Sequence, residues 1–174
     1  MSSQPYILTT ARLGLRRYRV SDEELLLPVF ADPYAAQFYP AMGQREGIAR
    51  WINWNLKNYD DYGFGLWALE LLGSGAFIGD AGITYQTVED QRILEIGWHI
   101  HPDFRGRGYA TEAGRECLRF GHNSLHAATL GSIVDPANTA SIKVAIRVHA
   151  QLRHFQGKSG QMHFYYTHAP STEV

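Results

Sequence analysis

Residues 94–117 read LEIGWHIHPDFRGRGYATEAGREC, and this stretch restricts the fold more than any other. Ile93, Leu94, Ile96, Trp98 and Ile100 suit a strand, with Glu95, Gly97, His99 and His101 on the alternate positions. Pro102 and Asp103 end it. Residues 105–110, RGRGYA, then lead into a helix. On that helix Ala110, Ala113, Gly114, Cys117 and Leu118 recur at helical spacing. A face of such small residues can pack close to a sheet, which makes Cys117 a core residue.

The turn between strand and helix has the chemistry of an anion cradle. Two glycines allow successive backbone N–H groups to point outward, and the helix start adds unpaired N–H groups and a positive dipole end. Arg105 and Arg107 add full charges. The same turn can also need glycine only for its backbone angles. There is no G-x-x-x-x-G-K-[ST], so the turn is no P-loop. There is no G-x-G-x-x-G followed by an acidic residue about twenty positions later, which argues against a dinucleotide fold.

The spacing R-x-x-G-x-A at Arg105, Gly108 and Ala110 resembles the acetyl-coenzyme A loop of the GNAT N-acetyltransferase superfamily, Q/R-x-x-G-x-G/A. The flanking EIGWHIHP and YATEA sharpen the match. TARLGLR at 10–16, FGLWAL at 64–69, FIGDAGI at 77–83 and DPANTASIKV at 135–144 fall in the order of the branch containing the ribosomal-protein N-terminal acetyltransferases.

The resemblance implies a single α/β (α+β) domain over residues 1–174, with a mixed, mostly antiparallel twisted sheet flanked by helices and splayed at the central strand. It implies acetyl-CoA as co-substrate and a primary amine, either a protein N-terminus or a small molecule, as acceptor. Arg105, Gly106, Arg107, Gly108, Tyr109 and Ala110 would hold the pyrophosphate. Trp98, His99 and Ile100 would lie along the pantetheine, with a backbone N–H near Trp98 or His99 polarising the thioester. In this branch Asn138 would contact the pantetheine. Ser141 would sit near the sulfur and assist the departing thiolate. A non-catalytic acyl-CoA-binding module on the same fold would keep the cradle without needing Glu95 or Ser141.

Amine acetylation needs a group to take the amine proton. Glu95 lies close to where some superfamily members hold a glutamate base, and burial would raise its pKa towards neutrality. His99, on the same face of the strand, has a suitable ordinary pKa. Asp80 and Tyr85 on the neighbouring strand are further candidates. Asn138 and Ser141 also read simply as an N-cap and a first-turn residue.

The eight histidines raise the question of a metal. His99 and His101 share a face, yet nothing fixes a third ligand and no C-x-x-C or H-E-x-x-H is present. No metal is expected. The net charge of −1 implies no general affinity for nucleic acid or anionic membrane. One cysteine rules out an internal disulfide and fits a reducing cytosol, and MSSQPYILTT lacks the regions of a signal peptide, so a cytoplasmic location is expected. Exposed strand edges and the C-terminal segment are compatible with a homodimer.

Elsewhere the pattern predicts a strand over residues 12–18 and a helix over 23–30 with a Ser21/Glu24 capping box, kinked or ended by Pro28. A longer helix comes next, over 44–59. Strands are predicted at 64–71, 76–85 and 127–134, a helix from Asn138 to about His149, and a last strand at 162–168. Around the early helices Phe38, Tyr39, Pro40, Met42, Trp51, Trp54, Tyr59 and Tyr62 read either as core and loop aromatics or as a wall for a bulky or cationic acceptor. One departure stands out. Where the family places a leucine-glycine-phenylalanine-like turn after the N-x-x-S helix, this chain has Val148-His149-Ala150-Gln151-Leu152. The favoured glycine stop is missing.

Overall fold

The computed structural model describes residues 6–170. A short β1 (Leu8–Thr9) and β2 (Leu13–Arg16) precede α1 (Glu23–Ala31), α2 (Pro33–Ala36) and α3 (Arg45–Tyr62). Then come β3 (Leu66–Leu71), β4 (Phe77–Val88), β5 (Gln91–Ile100), α4 (Tyr109–Asn123), β6 (Thr129–Val134), α5 (Thr139–Val148), β7 (Gln151–Gly157) and β8 (Gly160–His168). The strands form one sheet in the order β1-β2-β3-β4-β5-β6-β8-β7. Every neighbouring pair is antiparallel except β5 and β6.

Local chemistry explains most boundaries. The α3 face carrying Ile48, Ile52 and Tyr59 is buried, and the helix stops where Gly63 takes a left-handed φ of 81° and donates its N–H to the Tyr59 carbonyl. A two-residue turn at Glu89 and Asp90, both at positive φ, joins β4 to β5. The small face of α4 lies on the sheet as its composition predicts. Ala113, Gly114, Cys117 and Gly121 are buried, and a methyl group added at Gly121 would stand 2.6 Å from Leu130.

The first helix differs from expectation. Asp22 accepts a hydrogen bond from the Arg19 N–H at 2.7 Å and a bidentate pair from Arg16 at 2.8 and 2.9 Å. This builds a 3-10 turn, so no Ser21/Glu24 capping box forms. Pro28 lies inside α1 without ending it, because Leu26, Val29 and Phe30 are buried on either side of it. Strand β7 carries too weak a signal to read. It is an edge strand whose single buried side chain is Phe155.

The missing glycine after α5 is replaced by side-chain chemistry. His149 leaves the helix with an extended backbone, while its Nε2 lies 2.9 Å from Ser132 Oγ and its Nδ1 3.4 Å from Thr167 Oγ1. The ring is buried.

The sheet parts between β5 and β6, where only Glu95 and Gly131 are in register. In a continued parallel ladder the Ile133 N–H would reach the Ile96 carbonyl. Instead Glu95 Oε1 accepts the Ile133 N–H at 3.1 Å, and Ser132 Oγ donates to the Ile96 carbonyl at 2.6 Å. Two side chains therefore take over the backbone groups that the parting orphans. Past that point the Trp98 N–H and C=O face the opening, because alternate residues of a strand turn their backbones the same way.

Two groups at this junction, the buried His149 and the half-buried Glu95, make stability depend on pH. Burial, with a smaller push from His122, lowers His149 to about 4 from an ordinary 6.5. Its stability contribution is present above pH 6.5 and lost as the pH falls through 4, because the unfolded ring takes up a proton first. In denaturant titrations the wild type should lose up to about 3 kcal/mol relative to His149→Gln over this window. Burial raises Glu95 from 4.5 to about 7, against the opposing pull of the Ile133 N–H and His99. Its contribution is present below pH 4.5 and lost as the pH rises through 7. The melting temperature of Glu95→Gln, relative to wild type, should therefore rise between pH 4.5 and 8.

Candidate active site

A cleft of about 1230 Å³ opens where β5 and β6 part. The end of β5, the start of α4, the start of α5 and the α1–α2 region line it.

At one end lies the glycine turn. Gly106 and Gly108 have φ of 75° and 81°, and Gly108 caps α4. Among the described residues, the backbone N–H groups of residues 106–111 donate to no protein acceptor. They crowd the positive end of a 15-residue helix, which is the geometry an anion needs. A side chain at either glycine would be strained at these angles.

The two arginines of the turn behave differently. Arg105 donates from Nε to the Ile100 carbonyl at 2.9 Å and from Nη1 to Asp32 at 2.7 Å. It ties the end of β5 to the start of α2, and Asp32 offsets its charge. Arg107 is exposed, with its guanidinium 5.6 Å from the Phe104 ring. The sequence reading missed a third cation. Arg12 reaches the Arg107 carbonyl from Nη1 at 3.1 Å, pairs with Glu112 at 2.7 Å and lies 4.5 Å from the Tyr109 ring. Glu112 also accepts from Thr10 Oγ1 and the Arg12 N–H. The β1–β2 turn thus braces the cradle across about a hundred residues of chain, and nothing local in TARLGLR points there. Further along the cleft, Arg115, Lys143 and Arg147 add positive charge.

Asn138 caps α5. Its Oδ1 accepts from the Ser141 N–H at 3.1 Å and from the Tyr34 hydroxyl at 3.0 Å, and Tyr34 in turn accepts from the Ala140 N–H at 3.2 Å. Both Asn138 and Ser141 line the cleft. Tyr34 is a second functional neighbour that sequence reasoning did not single out.

Trp98, His99 and Ile100 also line the cleft, whereas Glu95 sits deeper at the parting. The Ile96 carbonyl is turned towards Ser132 of β6, and two residues on the Trp98 N–H turns the same way, into the opening. The His99 ring packs among Phe30, Tyr39 and Trp51, with centroids 4.9, 4.8 and 5.4 Å away. Its Nδ1 lies 2.6 Å from Asp80 Oδ1.

The early aromatics divide into groups. Tyr59 and Met42 are core, Tyr39 and Trp51 hold His99, and Phe38 lines the cleft beside Tyr34. Tyr62 packs on Tyr85 at 4.9 Å, away from the cleft. Cys117 is buried, and burial pushes its thiol up. Among the described residues no cluster of three His, Cys, Asp or Glu side chains could hold a metal. Nor is any helix there long and apolar enough to cross a membrane.

Comparison with known proteins agrees with this architecture. The family model described as an acetyltransferase (GNAT) domain matches residues 12–151. An uncharacterized Bacillus subtilis protein, YkkB, is 36% identical over 142 residues, covering 81% of this chain and 83% of YkkB. An acetyltransferase from Agrobacterium tumefaciens superposes with a TM-score of 0.75 at 28% identity, covering 97% of each chain. RimL, a ribosomal L7/L12 alpha-N-protein acetyltransferase solved in complex with coenzyme A, has the same fold, with a TM-score of 0.75 at 15% identity over 94% of this chain and 97% of RimL. The family match spans the glycine turn, the parted strands and the helix on the small-residue face, and the chain belongs to the GNAT acetyltransferase family.

Proposed function

We propose that this protein transfers the acetyl group of acetyl-CoA to a primary amine by direct attack, with both substrates bound and no acyl-enzyme intermediate. The observation that carries this reading is the union of two unpaired backbone surfaces in one cleft. The open edge of β5 at Trp98 runs into the free N–H groups of residues 106–111. An extended amide-bearing arm suits the first, and a pyrophosphate suits the second. Coenzyme A has both, joined in that order. The complex of RimL with coenzyme A supports the same assignment.

In this reading the Trp98 N–H stabilises the thioester oxygen as it gains charge. Asn138 orients the pantetheine. Glu95 or His99 takes the amine proton, and the Ser141 hydroxyl assists the departing thiolate. The acceptor enters from the side of α1 and the aromatic residues that come after it, and is a protein N-terminus or a small amine.

Calorimetry tests the cradle. Wild-type protein should bind acetyl-CoA, and Gly108→Trp should not, while its circular dichroism stays native. No binding by wild type would overturn the proposal. With a panel of N-terminal peptides, polyamines and amino acids, release of free thiol should depend on the amine. Ser141→Ala should then lower kcat by roughly 10- to 100-fold with little change in KM for acetyl-CoA, since its hydroxyl acts on the leaving sulfur.

A further inference from the structure

In the acetyl-transfer reading one group must handle the amine proton. Building on that reading, we propose that Asp80 and His99 form a carboxylate–imidazole pair in which His99 Nε2 takes the proton and Asp80 is the positioning residue that fixes the ring.

The geometry points to this pair through the donor inventory around Asp80. Its side chain is fully buried. Oδ2 accepts from the Tyr18 hydroxyl at 2.6 Å and from the Trp51 indole N–H at 3.0 Å. Indole N–H can only donate, so Oδ2 is committed as an acceptor. Oδ1 then faces His99 Nδ1 at 2.6 Å, and a carboxylate oxygen there requires Nδ1 to carry the hydrogen. In the neutral ring the lone pair is left on Nε2, which has no hydrogen-bond partner among the described residues and is not fully buried, in a residue that lines the cleft.

The surroundings hold the ring rather than compete for its proton. Phe30 of α1, Tyr39 after α2 and Trp51 of α3 close on its faces and edges. The charged or titratable groups around it are Asp80 on β4, Tyr18 behind Asp80, the Tyr39 phenol and Glu95 on its own strand. Burial, and then the neighbouring carboxylates Glu95, Asp80 and Asp135, push Tyr39 up, so it remains a neutral wall. Glu95 faces a different duty. Its Oε1 is bound to the Ile133 N–H at the parting of the strands, and it lies outside the cleft lining.

The step balances without a further reactant. Nε2 removes one proton from the acceptor ammonium, and the freed nitrogen pair forms the C–N bond to the acetyl carbon. The C–S bond breaks with its electron pair on sulfur. The second nitrogen proton passes to that thiolate by way of the Ser141 hydroxyl, giving the amide and free thiol.

Two readouts test the pair. Long-range proton–nitrogen spectra of histidine-labelled protein, which need no substrate, should show His99 as the Nδ1–H tautomer. In Asp80→Asn the amide presents its NH₂ to Nδ1, and the ring should switch to Nε2–H. With acetyl-CoA and the fastest amine of the panel, His99→Gln should lower kcat/KM by about 100-fold and abolish the fall in rate on the acid side. Asp80→Asn should lower it by about tenfold or more and displace that limb, and both variants should still bind acetyl-CoA.

An Nε2–H tautomer in the wild type would overturn the proposal. So would an acid limb that survives His99→Gln and disappears in Glu95→Gln. Failure of the wild type to acetylate any amine would instead overturn the acetyl-transfer reading and this proposal with it. Binding and turnover with an unaltered limb in His99→Gln would overturn the pair alone.

Discussion

The parting of β5 from β6 is the constraint on which the rest of the molecule depends. A parallel pair that separates after one bridge leaves backbone donors and acceptors without partners, and buried ones are costly. The chain answers in two ways. Nearest the bridge, the Glu95 carboxyl and the Ser132 hydroxyl take the orphaned Ile133 N–H and Ile96 carbonyl. Farther out, the Trp98 backbone is left facing the cleft, where a substrate amide can use it. The same opening is therefore sealed at its root by side chains and kept open at its mouth for a ligand.

Holding that mouth in shape requires contacts distant in sequence. Arg105 fixes the end of β5 to Asp32, and Glu112 draws Thr10 and Arg12 onto the first turn of α4. Tyr34 binds the cap of α5. These polar bridges join the early helices and the first strands to the cradle, so both walls of the cleft are referenced to β5. Arg105 illustrates a general point about cations in a turn. Its sequence position suggests direct anion binding, but its paired partners make it first a brace.

How much of this was legible in the sequence depended on the range of the interaction. The strand-turn-helix of residues 94–117 and the cap at Asn138 are local, and their patterns suffice. The small-residue face of α4 was readable for the same reason. Strand β7 was not, because an edge strand with Phe155 as its buried anchor has no alternation to detect. The capping box at Ser21 failed because Arg16, six residues before Asp22 in sequence, captured that carboxylate. Arg12, Tyr34 and the partnership of Asp80 with His99 were invisible in kind. Each depends on a sheet register or a crossing that no short window contains. Asp80 and His99 were each nameable, but only the β4–β5 register sets them side by side.

The absent glycine after α5 shows how a local rule can be broken without loss. A glycine would end the helix through its own backbone freedom and would leave the neighbouring strands untouched. His149 ends it through bonds to Ser132 and Thr167, and Ser132 in turn holds the Ile96 carbonyl at the parting. The helix that carries Asn138 and Ser141 is thereby tied at its far end to the strand junction that opens the cleft. Both ends of α5 are set by side chains that reach across the site. A departure that looked like a weakness in the chain is a second strut for the same opening, and its burial makes that strut dependent on a neutral imidazole.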